Sequence, residues 1–197
     1  QSGESLITGD VVRTGAGSRV AIQLISGTQI KLNAHTQLEF KQIAPPSEGF
    51  APTTTQVLKS ILRVLSGEIW VRNSGEPLEI QTVPATATIR GTEFNLAVGP
   101  GGSAQLTVLT GLVEFGNPHG SVLVAANEQA NVTVGAAPRK SVLLNPLDAV
   151  QWSFYYPGAV GDPADRDPNR RVDPQSPRYW TRTAQRHLQQ GQVVEAQ

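Results

Sequence analysis

An alternation of apolar and polar residues with a period of two is the feature that most constrains this chain. It begins near Val11 and continues to about Val134, and short turn signals containing glycine or proline interrupt it. Successive side chains of a strand point to opposite faces, so this pattern buries one face of each sheet. We therefore predict an all-β fold, either a β-sandwich of jelly-roll type or a solenoid-like roll, made of short antiparallel hairpins.

Composition supports this prediction and narrows the range of partners. The 197 residues include 19 Gly and 14 Pro, and only 16% are charged, which favours turns between strands over long surface helices. The formal net charge is +0, so no overall attraction to nucleic acid or to an anionic membrane surface is expected. No apolar run is long enough for a transmembrane helix, so we predict no membrane insertion.

The chain contains neither cysteine nor methionine. Without cysteine it can form no disulfide and no thiolate metal site. Because even position 1 lacks methionine, we interpret Gln1 as the mature start left after removal of a signal peptide. We therefore expect an exported protein, periplasmic or extracellular.

Three segments resemble one another and suggest internal repetition. Residues 64–71 and 108–115 each read as a strand, a polar residue followed by Gly, and a second strand; residues 24–30 are a weaker copy. A glycine at a fixed place suits a turn or a bulge with positive φ. We predict three related hairpins, with turns at Ser26-Gly27, Ser66-Gly67 and Thr110-Gly111. The alternative is that unrelated hairpins simply look alike.

The character of the sequence changes towards the C-terminus. We predict a β domain over residues 1–149, an aromatic and Pro/Asp-rich linker over 150–177 and a helical segment over 178–197. The linker begins with four closely spaced aromatic residues, which are Trp152, Phe154, Tyr155 and Tyr156. Two interpretations stay open: a last strand that closes the core, or an exposed segment that binds a partner.

No catalytic or metal-binding constellation stands out. His35, His119 and His187 each lack a partner at ligand spacing. Four acids of the linker could hold Ca²⁺, but prolines and arginines between them favour a solvated segment; they are Asp162, Asp165, Asp167 and Asp173. We predict no cofactor, no metal and no enzymatic activity. Nothing in the sequence indicates the pair of carboxylates that a glycosidase needs.

Three ordered stretches carry a family resemblance. Residues 9–32, 65–83 and above all 87–96, which read Ala-Thr-Ile-Arg-Gly-Thr-Glu-Phe-Asn-Leu, resemble the FecR-like domain. The signature residues are Arg90, Gly91, Thr92 and Phe94. We predict a mainly structural role for them: positive φ at Gly91, a hydrogen bond from Thr92 to local backbone, and Phe94 on the core face.

The resemblance also implies a function. It is nearest to exported FecR-domain proteins that continue into tetratricopeptide-type helical repeats, so we expect a non-enzymatic module that binds a protein, forms a homo-oligomer or filament, or binds cell-wall glycan. The four aromatic residues of the linker are our candidate partner-binding residues. The alternative is a periplasmic sensory domain of a FecR-type signalling system.

Overall fold

The computed structural model describes residues 5–44, 59–143 and 145–154. The described chain is almost entirely β-structure. Its strands are β1 (Val11–Arg13), β2 (Val20–Gln23), β3 (Gln29–Leu32), β4 (Gln37–Gln42), β5 (Ser60–Arg72), β6 (Leu78–Gln81), β7 (Thr86–Ile89), β8 (Glu93–Val98), β9 (Ala104–Thr110), β10 (Leu112–Asn117), β11 (Gly120–Ala125), β12 (Glu128–Val132) and β13 (Arg139–Val142).

Two sheets share the long strand β5. In sheet A the neighbours run β1-β4-β5-β6-β7-β10-β11. In sheet B they run β2-β3-β5-β8-β9-β12-β13. The β5–β6 pair is parallel and the other pairs are antiparallel.

The two sheets bury one continuous apolar core between them. Sheet A contributes Phe40, Leu62 and Phe115, and sheet B contributes Phe94 and Leu106, all without exposed surface. Burial of apolar side chains at about 25 cal/mol per Å² is the main favourable contribution to such a fold. The predicted all-β class is confirmed, and of the two predicted architectures the described strands form the sandwich.

Two of the three predicted hairpins are instead strands that cross from one sheet to the other. Strand β5 runs without a break through Ser66 and Gly67, pairing with β4 in sheet A before this point and with β8 in sheet B after it. Strands β9 and β10 meet at Gly111 and cross in the opposite direction. Both glycines have positive φ, +89° and +85°. The polar residue followed by glycine was interpreted correctly as a place where the backbone has positive φ. A bulge has positive φ as well as a turn, so the pattern did not distinguish the two.

The third predicted turn, at Ser26-Gly27, is present. Gly27 lies in a tight connection between β2 and β3, which pair antiparallel. The glycines after β8 close the β8–β9 hairpin, where the amide of Gly99 donates to the carbonyl of Ser103. In both places the strands return at once to the same sheet.

The pairing pattern of β2 to β5 reappears in β6 to β10 with the two sheets exchanged. Strand β3 pairs with β2 and with the second half of β5, as β7 pairs with β6 and with β10. Strand β4 pairs with the first half of β5, as β8 pairs with β9. The likeness of residues 64–71 to residues 108–115 therefore corresponds to equivalent places in two similar units.

The chain after β13 is helical over the residues that the structure describes. A 3₁₀ turn (Pro146–Val150) leads into α1 (Gln151–Phe154). The expectation that the aromatic cluster opens as a last β-strand is therefore wrong for residues 151–154. The rest of the predicted linker and the predicted helix over 178–197 lie outside the described residues. No helix in the described ranges is long and apolar enough to cross a membrane.

Candidate functional site

The signature residues form the connection by which the chain passes from β7 in sheet A to β8 in sheet B. Gly91 has φ +65°, as predicted, and Arg90 is exposed. Phe94 is fully buried in the core while its neighbours Glu93 and Asn95 lie on the outer face of sheet B, which is the predicted alternation. The predicted hydrogen bond of Thr92 is wrong, since its buried hydroxyl has no partner and its carbonyl accepts from the amide of Asn73.

This connection packs tightly on the crossing at Gly111. A Cβ placed on Gly111 would lie 2.6 Å from Cγ2 of Thr92 and 3.0 Å from the carbonyl oxygen of Gly91. Gly67 meets the β3–β4 connection in the same way, since its Cβ would lie 2.4 Å from Cα of Thr36. Each strand that changes sheet therefore needs a glycine because a neighbouring connection occupies the space of a side chain.

Asn73 ties the signature connection to the rest of sheet B. Its Oδ1 accepts from the amides of Gly91, at 2.6 Å, and Gly75, at 3.1 Å. Its Nδ2 donates to the hydroxyl of Thr28 and to the carbonyl of Glu76. The side chain is buried, so it is the hub that satisfies four polar groups at this corner.

A row of four side chains crosses the outer face of sheet B. Cross-strand register places Lys31 beside Trp70, Trp70 beside Asn95, and Asn95 beside Thr107. Trp70, Asn95 and Thr107 are buried, although they point away from the core. We call these four residues the sheet-B patch.

The residues after β13 cover this patch. We call residues 145–154 the C-terminal cap. Its indole Nε1 of Trp152 donates to Oδ1 of Asn95 at 3.3 Å, and Nζ of Lys31 donates to the carbonyl of Ser153 at 2.9 Å. Val150 is fully buried, and the 3₁₀ turn packs against β9.

Charge is concentrated around Trp70. The ammonium of Lys31 lies 4.8 Å from the centre of the indole ring and the guanidinium of Arg72 lies 5.2 Å from it, so both make cation–π contacts. Glu93 accepts from Nε1 of Trp70 at 3.2 Å and from Arg72. Burial, and then the nearby charge of Arg72, lower the pKa of Lys31, while Glu93 acts in the opposite direction.

Asn95 extends the hydrogen bonding to the neighbouring strand. Its Nδ2 donates to one carboxylate oxygen of Glu68, whose other oxygen accepts from Asn33. The amide group of Asn95 is therefore oriented, with its oxygen left to accept from Trp152 of the cap. A donor, an acceptor and an aromatic ring in a fixed row form a surface suited to binding a peptide segment.

Two hydroxyls in this region have no partner. Oγ1 of Thr107 and Oγ of Ser153 are both buried and unpaired in the described residues. A buried polar group without a hydrogen bond costs about 1–3 kcal/mol. The contact between cap and patch therefore includes two groups that lower its stability.

The other candidate residues fall into two groups, those that the structure describes and those that it does not. Two of the three histidines are in described connections: His35 with φ +56° between β3 and β4, and His119 between β10 and β11. His187 and the four acids of the linker lie outside the described residues, as do Tyr155 and Tyr156. Within the described ranges no three His, Cys, Asp or Glu residues cluster as metal ligands would.

The end of the sandwich near the glycine-rich hairpin contains a shallow apolar depression of about 430 Å³. Leu65, Val83, Pro100 and the glycines of the β8–β9 hairpin line it, together with His35. Among the described residues that line it, His35 is the titratable side chain.

Sequence analysis identified some of the residues of this site and missed others. Trp152 was singled out, and the structure places its indole against its own domain. Asn73, Lys31 and Asn95 were not singled out, because nothing in a period-two pattern distinguishes an outward polar side chain that another segment covers from one that is solvated. Phe154 lies in α1, and its contacts are not part of the described structure.

These features define a class: a two-sheet β-sandwich whose strands change sheet at glycines and whose polar outer face is capped by its own chain. The family model of the FecR protein matches residues 10–114, more than half of the sequence. The chain therefore belongs to the FecR protein family. None of the curated proteins matches this sequence.

Two solved structures share the fold. Both are crystal structures of a protein from Parabacteroides distasonis that is provisionally described as an anti-sigma factor. One is 21% identical, with a TM-score of 0.54, and the match covers 68% of this chain and 60% of that chain. The other is 21% identical, with a TM-score of 0.56, covering 74% and 64%. The chain thus spans less than two thirds of either structure.

Proposed function

We propose that this chain is a non-catalytic regulatory domain that transmits a signal by binding a protein partner. The observation that carries the proposal is the FecR match over residues 10–114, together with a fold shared with structures described as anti-sigma factors. This favours our alternative hypothesis, the sensory domain, over the assembly module that we placed first. An exported location, periplasmic or extracellular, is part of the proposal.

The sheet-B patch offers chemistry suited to a protein partner. It combines an indole, an ammonium, an amide and a hydroxyl, which are groups that recognise peptide carbonyls and side chains. Within the described residues, no three His, Cys, Asp or Glu residues are grouped beside it as metal ligands would be. Trp152 and the other aromatic residues of the linker stay candidates for contact with the partner.

Transcript profiling tests the regulatory role. We expect deletion of residues 1–154 from the chromosomal gene to change the expression of a small set of genes that share one promoter type. An unchanged transcript profile in the growth conditions that express the gene would contradict a regulatory role. Complementation with the intact gene, and with a copy carrying Asn131→Ala at an exposed position, provides the controls.

A second candidate function is self-assembly through an open sheet edge. Strand β13 is the last strand of sheet B, pairs with β12, and leaves all four of its residues exposed, including Val142 at 74%. An unpaired edge can accept a strand from another copy. Lys140 opposes this, since a charged residue on an edge strand hinders pairing, and it is held by Glu128 and the carbonyl of Leu123.

Light scattering distinguishes the two functions. The regulatory domain should stay monomeric across a hundredfold range of concentration, whereas edge-to-edge assembly should give a mass that rises with concentration. Val142→Lys should abolish such a rise. Retention on insoluble cell-wall material, absent for an unrelated β-sandwich of similar size, would instead support glycan binding.

A further inference from the structure

The contact between the C-terminal cap and the sheet-B patch differs from the packing of the core. Val150 is fully buried, yet it stands outside the continuous apolar core that joins the two sheets. The strands beneath the cap already bury their inward side chains fully, among them Leu96, Leu106 and Val108. The sandwich therefore completes its core without the cap.

Few groups hold the cap in place. The described side-chain hydrogen bonds between cap and patch are those of Lys31 to Ser153 and of Trp152 to Asn95, and the second, at 3.3 Å, is long. Burial lowers the pKa of Lys31, and the carbonyl of Ser153 in the cap is one of the groups that contact this ammonium.

Closure also leaves polar groups unsatisfied. Among the described residues, the buried hydroxyl of Ser153 in the cap has no partner, and neither has the buried hydroxyl of Thr107 on β9, the strand against which the 3₁₀ turn packs. Opening the cap would let water bond to both hydroxyls and solvate Lys31. These gains act against the loss of two hydrogen bonds and of the contacts of Val150 and Trp152 when the cap opens.

The cap also occupies a place from which it can leave. It follows β13, an edge strand, so no strand of either sheet has to separate when it lifts. By contrast β9, which it covers, is held between β8 and β12.

From these observations we propose that the C-terminal cap is a releasable strap, which opens while the β-sandwich stays folded and thereby uncovers the sheet-B patch. Release exposes the indole of Trp70, the amide of Asn95 and the hydroxyl of Thr107 together. The strap does not depend on the identity of a partner, so it stands or falls separately from the proposed regulatory function.

Thiol labelling tests this proposal directly, because the natural sequence contains no cysteine. Ser153→Cys introduces a single thiol at a position that is 1% exposed, and it breaks no hydrogen bond of the hydroxyl within the part of the chain that the structure describes. Val108→Cys places the comparison thiol in the core face of β9, which is 0% exposed. We expect 5,5′-dithiobis(2-nitrobenzoic acid) to react with the thiol at 153 at least tenfold faster than with the thiol at 108, in buffer without denaturant.

A second substitution identifies the contact that holds the strap. Lys31→Met keeps an apolar stem beside Trp70 but removes the bond to Ser153, so in the Ser153→Cys background we expect a further increase of about tenfold in labelling rate. Lys59→Met is the matched control, because Lys59 pairs with Glu79, away from the cap. It should leave the rate unchanged.

The opposite result is equally clear. If the thiols at 153 and 108 react at the same slow rate, the cap opens only when the whole domain unfolds, and the proposal is wrong. Equal effects of Lys31→Met and Lys59→Met would also overturn it. Hydrogen exchange of the unsubstituted chain, followed by mass spectrometry, gives an independent answer. The peptide covering residues 145–154 should exchange faster than those covering β8 and β9, and equal rates would contradict the proposal.

Discussion

At the scale of single residues, the buried amide of Asn73 holds the backbone of the family signature in place. It bonds to the amide of Gly91 and to Thr28, and so joins the β7–β8 connection to the β2–β3 turn. The signature glycine can therefore be understood as the residue that lets its own backbone amide reach this acceptor. Its neighbour Thr92 contributes a methyl group that packs against Gly111, while its hydroxyl stays unpaired.

Replacement of Asn73 should be strongly destabilising. We expect Asn73→Ala to lower the free energy of unfolding by about 3 kcal/mol, because it leaves several buried partners without a bond. Asn131→Ala, at an exposed position with one side-chain bond to Gln105, should cost less than about 0.5 kcal/mol. Urea denaturation followed by circular dichroism measures both, and similar losses would show that Asn73 is not the hub.

Glu79 should make stability depend on acid pH. Burial alone would raise its pKa, but hydrogen bonds from Lys59 and Gln81 and the charge of Lys59 together lower the pKa below 4.5. A carboxyl whose pKa is depressed in the folded state stabilises the protein above its unfolded pKa, and this contribution disappears as pH falls through the folded value.

The matching measurement compares the natural chain with Glu79→Gln between pH 6 and pH 3. We expect the natural chain to have the higher melting temperature at pH 6. The difference should shrink below about pH 4.5, where the carboxyl of the unfolded chain begins to take up its proton. Glu114→Gln, at an exposed position on β10, also removes one carboxyl and controls for the number of carboxyls. A difference that does not change with pH would contradict this account.

At the scale of elements, the crossings between sheets explain why glycine recurs. Strand β5 and the β9–β10 pair each pass from one sheet to the other, and each meets a neighbouring connection at its glycine. The similar pairing around the two crossings indicates that the unit formed by β2 to β5 occurs again as β6 to β10, with the two sheets exchanged. In each unit a buried threonine, Thr36 or Thr92, lies against the glycine.

Gly67→Ala tests the crossing. Positive φ costs an L-residue about 1–2 kcal/mol, and the clash with the backbone of Thr36 at 2.4 Å adds to it, so we expect a loss of about 3 kcal/mol. Gly101→Ala is the matched control, since its φ of +85° is almost the same while nothing lies within 4 Å of its Cβ. It should cost about 1 kcal/mol, for the backbone conformation alone. Equal losses in thermal denaturation would mean that the close approach contributes nothing.

At the scale of the whole molecule, the shared strands should make the two sheets unfold together. Strand β5 contributes one half to each sheet, and both sheets bury their inner faces in one core. Neither sheet keeps a complete apolar face when the other is lost, so partial unfolding exposes a large apolar area.

Native-state hydrogen exchange measured by NMR tests this cooperativity. The slowest amides of β6 and β7 in sheet A should exchange with the same free energy of opening as those of β8 and β9 in sheet B. Addition of Gly67→Ala should lower both values equally, because the substituted residue belongs to both sheets. A difference of more than about 2 kcal/mol between the sheets would show that they unfold separately.

The sequence by itself determined the class of fold, the strands and the positions that need glycine. Alternation along strands such as β3 and β8 reports directly which face is buried, because side-chain direction is a local property of the strand. Positive φ at Gly67, Gly91 and Gly111 is also a local property, because the glycine that allows it stands at the same position in the sequence. The family resemblance, carried by residues 87–96 above all, was confirmed over residues 10–114.

Only the tertiary structure decided which glycine makes a turn and which lets a strand change sheet, because this depends on partners distant in sequence. The same holds for the candidate site. Lys31, Trp70, Asn95 and Thr107 come from four strands, and only the sheet register places them in one row. Their cover is the C-terminal cap. The linker was predicted to begin at residue 150, with a last strand as one of two interpretations of its aromatic residues, and residues 146–154 form helical turns instead. Packing between segments distant in sequence buries these polar residues and brings them together as the candidate site. A local alternation of apolar and polar residues carries no information about such packing.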